Sequence, residues 1–105
     1  MKKKLILSKS KIKGKRFRID MKNFDNMEDH FHDFGSKSGN TFIDHKDEKK
    51  KNAWIARHSK NKNWNNIHSP IYFSKMLLWN TPFFKKNIAF LSKKLDAGII
   101  VKFKL

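Results

Sequence analysis

All three tryptophans, Trp54, Trp64 and Trp79, and the single tyrosine, Tyr72, fall between residues 45 and 80. Rings of this kind each carry roughly 150 to 250 Å² that folding has to hide. The stretch must therefore supply much of the core. Among the rings stand Arg57, His58, Lys60, Lys62 and Lys75, and such side chains are seldom fully buried unless paired. The same stretch has to present a cationic exterior as well, so core and binding surface are expected from one segment.

Charge sets the next limit. The 105 residues hold 25 Lys and Arg against 9 Asp and Glu, a formal net charge of +16. Solubility of a small domain needs a net charge of only about 2 to 8, and a larger excess repels itself unless a polyanion is near. Nucleic acid is the commonest partner of such a surface, ahead of an anionic membrane or an acidic protein. A chain this long makes one domain with one core. Cysteine is absent, which removes disulfide frameworks, thiolate metal sites and cysteine catalysis. The apolar run Leu5, Ile6, Leu7 is far short of a signal peptide's ~7 to 15 apolar residues, and no run approaches the ~20 of a membrane span. No membrane role is expected.

Within the single domain, residues 1–21 read as a basic hairpin or tail. Residues 22–44 read as an acidic, Phe-rich loop, 45–95 as a three-helix region and 99–105 as a terminal strand. Residues 1–18 contain nine Lys or Arg and no acid, residues 19–48 hold eight of the nine acids, and from 49 onward Asp96 alone opposes thirteen cations. Phe17, Ile19 and Met21 alternate with Arg16, Arg18 and Asp20, the period of a half-buried strand. Lys4 to Ser8 has similar content, with Lys13-Gly14-Lys15 as the turn between. From Lys22 to Asn40 no period is sustained. Phe24, Met27, Phe31 and Phe34 recur every three or four residues and could pin that loop to the core through a short helical turn.

Asp44 is placed to cap a helix over about 45–59, with Asp47 and Glu48 in its first turn and Arg57, His58 and Lys60 near its other end, where each sign suits the dipole. Ser69-Pro70 and Thr81-Pro82 each join a capping residue to the residue favoured at the first helical position. Phe84, Ile88, Leu91 and Leu95 make an apolar stripe, and Asp96-Ala97-Gly98 ends it. Val101, Phe103 and Leu105 then alternate with Lys102 and Lys104 as a strand that needs the N-terminal hairpin for a partner. The expected fold is α+β: a small antiparallel sheet of about three strands, two N-terminal and one C-terminal, packed with three short helices.

Chemistry-bearing motifs are sparse. His30-Phe31-His32-Asp33, with His45 further on, offers metal-ligand types, but no spacing fixes a third ligand, and these read as surface histidines. His45-Lys46-Asp47 and His58-Ser59-Lys60 share letters with the phospholipase D signature. The first lacks its spacing and the second has Asn65 where Asp belongs. Gly14-Lys15 lacks the earlier glycine and following Ser or Thr of a phosphate loop. The reading is non-catalytic, without cofactor or metal. Phosphate contacts fall to Lys2, Lys3, Lys4, Lys49, Lys50, Lys51, Arg57, Lys60 and Lys62, with Trp64 as a stacking ring if exposed and a core ring otherwise.

An ordered series of pieces carries a resemblance. Phe34-Gly35, His45-Lys46-Asp47, Lys50, Trp54, Arg57-His58, Asn63-Trp64 and Tyr72-Phe73-Ser74-Lys75-x-Leu77-Leu78-Trp79-Asn80, with Pro82 and Ile88, resemble the small basic proteins of giant and other nucleocytoplasmic large DNA viruses. The likeness spans about residues 34–90. In that family a DYT-like triplet stands where this chain has Thr41-Phe42-Ile43, and the acidic stretch 22–33 is longer here. The resemblance implies a viral protein in or around the virion, or in the infected cell, and brings no particular chemistry. Together these readings lead to a nucleic-acid-binding protein of low sequence specificity. The alternative is a minor capsid or scaffold protein whose basic face meets acidic virion proteins, and oligomers are possible because strands at the chain ends invite pairing between copies.

Overall fold

A computed structural model describes residues 2–25 and 27–105. The elements run β1 (Lys4–Lys9), β2 (Lys15–Lys22), β3 (His30–Ser36), α1 (Phe42–His45), α2 (Glu48–His58), α3 (Pro70–Phe73), a π-helical turn over Ser74–Leu78, α4 (Phe84–Leu95) and β4 (Gly98–Val101). The architecture is α+β, with hairpin and C-terminal strand in one sheet against the helices. The sheet has four strands in the order β3-β2-β1-β4. β1 and β3 flank β2 antiparallel, with Lys4 opposite Lys22 and Lys15 opposite Ser36.

Two details differ from the sequence expectation. β4 runs parallel to β1, with Leu5 opposite Ile99: α4 carries the chain back over the sheet, so the strand emerges in the direction of β1. It ends at Val101, after which Phe103 folds inward onto Phe17 at 5.3 Å between ring centroids. The fourth strand, β3, lies where an irregular loop or helical turn was expected. Its alternation is real, since Phe34 is buried while Phe31 is half-exposed. The inward histidine His32, its ring stacked on Phe73 at 6.1 Å, disguises the apolar face because imidazole reads as polar. Phe24 does pin the preceding segment, at 1% exposure.

The expected helix over 45–59 divides. Lys46 adopts a left-handed conformation with φ 58°, which ends α1, and Asp47 rather than Asp44 caps α2 by accepting from the Lys49 and Lys50 N–H groups. Asp44 instead closes α1: one of its oxygens accepts from the Thr41 N–H at 2.9 Å and hydroxyl at 2.6 Å, the reciprocal arrangement of a capping box. Ser69-Pro70 starts α3 as expected. Thr81-Pro82 falls short of α4, which begins at Phe84, because the Thr81 hydroxyl is engaged in a turn, accepting from the Phe83 N–H at 3.1 Å. Fully buried Asn87 staples that turn: its amide donates to Leu77 and Thr81 carbonyls at 2.9 and 3.0 Å, and its oxygen accepts from the Thr81 N–H and hydroxyl. At the other end Asp96, φ 50°, takes the left-handed position expected of a glycine.

Hydrophobic side chains alternating along β1 and β2, Leu5, Leu7, Phe17, Ile19 and Met21, join Phe34, Phe42, Trp54, Tyr72, Phe73, the Met76–Trp79 run and Leu91 in one cluster. Trp54 and Trp79 stack face to face at 4.7 Å and 8°. Gly35 allows β3 to approach the π-helical turn. Its φ of +79° is one that L side chains rarely adopt, and a Cβ there would stand 2.8 Å from the Leu78 Cδ1, forcing that side chain to shift.

Candidate nucleic-acid interface

The sheet register gives the molecule two ends of different electrical character. Around the β1–β2 turn lie Lys9, Lys11, Lys13 and Lys15, all exposed, and Lys37 is drawn beside them by its N–H bond to the Gly14 carbonyl at 3.1 Å. At the opposite end, where β2 finishes and β3 begins, stand Asp25, Glu28 and Asp29. Lys22 pairs there with Asp29 at 3.5 Å, and Asp25 accepts from His68 at 2.8 Å. Midway along β2, Arg18 holds Asp33 with both nitrogens at 3.1 Å. That hydrogen-bonded guanidinium, helped by the Ser10 hydroxyl at 2.6 Å, keeps the Asp33 carboxyl below its ordinary range. Asp25, Glu28 and Asp29 are thus grouped away from the turn, while Asp44, Asp47 and Glu48 stand at the starts of α1 and α2.

At the basic end the side chains of α1, α2 and Trp79 shape a groove. One part, about 310 Å³, is walled by Ser36, Asn40, Thr41, Trp54, Arg57 and Trp79. The adjoining part, about 240 Å³, shares Asn40, Arg57 and Trp79 and adds His45, Lys50 and Ala53. Among the described residues no carboxylate lines either part. Among the described residues neither Arg57 nor Lys50 makes an ion pair, and both are exposed. The positions follow from helical spacing: seven residues apart, Lys50 and Arg57 recur on one face of α2. The Asp47 N–H donates to His45 Nδ1 at 2.9 Å, so a neutral His45 carries its proton on Nε2. That nitrogen is buried without a hydrogen-bond partner among the described residues, its ring set edgewise against Trp79 at 5.5 Å. The groove therefore offers a guanidinium, an ammonium and amide and hydroxyl groups over an indole floor, a lining suited to an anion.

A ridge bounds this groove. Arg16 reaches Asp44 with two bonds of 2.7 and 2.9 Å and touches the Thr41 hydroxyl at 3.3 Å. Burial alone would raise the Asp44 carboxyl, but the bonds from Arg16 and Thr41 outweigh it and hold it below its ordinary value. On the far side of the ridge lies a cleft of about 480 Å³ reached by Lys9, Arg16, Lys37 and Lys104.

The residues singled out from sequence do not form one patch. Lys50 and Arg57 meet in the groove, and Lys49 is exposed nearby on α2. Lys51 is spent on structure: its ammonium donates to the Asn80 carbonyl at 2.6 Å and sits 5.0 Å from the Phe42 ring centroid. Lys60 and Lys62 are exposed in the segment after α2, outside the groove lining. Trp64 packs against Trp54 at 5.7 Å and has the Lys75 ammonium 4.7 Å from its ring, so it is a half-buried core ring rather than a free stacking platform. Lys2, Lys3 and Lys4 lie at the opposite end. There Lys2 and Lys3 border a hollow with Ser92 and Asp96, and Lys3 lies over Phe24 at 5.6 Å. Sequence reasoning passed over Asn40, His45 and Trp79 in the groove and Lys9, Lys37 and Lys104 beyond the ridge. The alternating lysines of the β1–β2 turn could have signalled the last group; Asn40 and Trp79 become neighbours only through tertiary packing.

His30 and His32 share the inner face of β3, as a strand requires. His30 Nε2 faces His68 Nδ1 at 3.0 Å, and among the described residues no group of three or more His, Asp or Glu is arranged to hold a metal. No helix among the described residues is long and apolar enough to cross a membrane.

A protein-family model described as a family of unknown function, DUF5754, matches residues 5–58, more than half of the chain. The chain belongs to the DUF5754 family. The DUF5754 match covers most of β1 through α2, and so contributes Asn40, His45, Lys50 and Arg57 to the groove, while Trp79 of the groove and Lys104 of the cleft lie outside the match. No curated protein and no solved structure matches the chain.

Proposed function

We propose that this protein binds nucleic acid through phosphate contacts made at the basic end of its sheet, without catalysis and with little sequence preference. The observation that carries the reading is the groove at Arg57: Arg57 and Lys50, which make no ion pair among the described residues, in a lining where those residues place no carboxylate. The exposed lysines of the β1–β2 turn extend the same positive field. Neutralising phosphates releases counterions, which supplies affinity that is independent of sequence and weakens as salt rises. The resemblance of residues 34–90 to small basic proteins of large DNA viruses suggests a viral genome as the polymer and the virion as the setting.

The test is titration of random-sequence duplex and single-stranded oligonucleotides between 50 and 200 mM salt. Submicromolar binding at low salt, with affinity falling steeply and log-linearly, is the expected result. Affinity indifferent to salt would sink the mechanism.

A second reading, a minor capsid or scaffold protein meeting acidic virion proteins, is favoured by the sheet face opposite the helices. There Phe31 and Ile100 are 50% and 42% exposed on the two edge strands, with Ile6 of β1 beside Ile100. A protein that ignored nucleic acid but co-sedimented with capsid shells would establish it instead.

A further inference from the structure

The cleft beyond the Arg16–Asp44 ridge has a chemistry different from the groove's. Its floor is aromatic: Phe17, Phe84 and Phe103 lie within 6.4 Å of one another, centroid to centroid, and Phe103 is near-parallel to both, at 21° and 17°. Phe17 is 5% exposed, whereas Phe84 and Phe103 are only partly buried and keep surface open to the cleft. Its rim is cationic. Arg16 is already neutralised by Asp44, but among the described residues Lys9, Lys37 and Lys104 make no ion pair. Among the described residues no Asp or Glu lines the cleft. A volume of about 480 Å³ lies in the range of sites that enclose a small planar group, roughly 300 to 1,000 Å³.

We infer that this cleft accepts one unpaired nucleotide of a bound single strand, the base laid against Phe103 and Phe84 and its phosphates held by Lys9, Lys37 and Lys104. Charge complementarity commits the occupant to an anion, and the near-parallel rings commit its body to a flat one, since a base continues an aromatic stack where an aliphatic chain gains no such alignment. The inference rests on the phosphate-binding reading and sharpens it. A base is free to enter only when it is not paired, so single strands gain a contact that duplexes lack.

The experiment uses the full chain and two oligomers of equal length and charge, a thymidine hexanucleotide and its abasic counterpart, followed by fluorescence anisotropy and by NMR of labelled phenylalanine rings. The base-bearing oligomer is expected to bind about 5- to 150-fold more tightly, the range for one base stacked on an aromatic ring, with upfield shifts at Phe103 and Phe84. Phe103→Leu, which keeps an apolar side chain but removes the ring, should bring the thymidine oligomer down to the abasic level and leave abasic binding unchanged. Equal affinities in the parent protein, or an undiminished gap in Phe103→Leu, overturns the cleft assignment while phosphate binding stands. Dodecanoate occupying the cleft with no base effect would give it to an aliphatic anion and overturn the assignment too. If neither oligomer binds, the phosphate reading fails and this one with it.

Discussion

The two ends of the sheet are built from the same two kinds of residue and use them oppositely. Where β2 ends and β3 begins, cations and acids face one another: Lys22 with Asp29, His68 with Asp25. Where β1 turns into β2, and across to Lys50 and Arg57 of α2, the cations make no ion pair among the described residues save for Arg16, which is tied to Asp44. A net charge of +16 says nothing of this polarity. Eight acids placed together in sequence, between residues 19 and 48, fold so that several collect at one end, and the excess positive charge is left to the other. The lesson is that position, not total, decides which lysines can meet a phosphate: Lys2, Lys3 and Lys4 look the most available in sequence, yet they sit with the acids.

The heaviest blow to this contrast is Trp54→Ala. It removes the ring stacked on Trp79 beneath the groove, and by the usual cost of deleting a buried aromatic it should lower unfolding free energy by about 3 to 5 kcal/mol, read by chemical denaturation. Groove binding should vanish with the floor. Next, the double charge reversal Lys50→Glu, Arg57→Glu should leave the melting temperature almost unchanged but reduce the slope of log affinity against log salt by about 2, each lost phosphate contact being worth roughly 0.9. Lys3→Glu with Lys4→Glu should leave that slope where it was. Equal loss from both pairs would abolish the distinction between the ends.

Asp44→Asn tests the ridge. Loss of the charged capping interaction and of the Arg16 pair should cost about 1 to 2 kcal/mol in denaturation, while freeing the Arg16 guanidinium should strengthen oligonucleotide binding, an opposite sign in the two measurements. Acid should erode stability in two stages. Burial, followed by the neighbouring His30 and His68, holds His32 below its ordinary 6.5. As pH falls through 6.5 the unfolded chain takes up that proton before the folded one does, so stability declines from there downward. Asp33 and Asp44, both held below 3.8, contribute stability that is present above 3.8 and lost as pH drops through their folded values. His32→Leu should remove the first stage from a pH series of melting temperatures and leave the second. The smallest effect is at the mixed end: the Lys22–Asp29 pair, with side chains 37% and 51% exposed, should be worth under about 1 kcal/mol in a double-mutant cycle.

The strands β1 and β2, the start of α3 and the stripe of α4 were legible because alternation and caps act locally. β3 was not, since its inward positions are His30, His32 and Phe34 and only packing against Phe73 gives His32 an apolar role. The parallel pairing of β4 was hidden for another reason: strand direction depends on where α4 delivers the chain, which no local pattern encodes. Of the proposed binding residues, Lys50 and Arg57 follow from heptad spacing on α2. Lys51, one step away on the same helix, is drawn onto the Asn80 carbonyl by a loop that sequence does not bring near. Trp64 was open between platform and core; in the fold it is partly buried against Trp54, with the ammonium of Lys75 4.7 Å from its ring.

The guanidinium of Arg16 stands between two positive basins with its own charge already spent. Under the phosphate-binding proposal, a flexible polyanion laid over this end would cross an electrically quiet saddle, its links held on either flank and arched over the middle. Such a footprint would favour a chain that can bend within a few links over a stiff rod, and would give the protein a mechanical means of telling a slack polymer from a taut one.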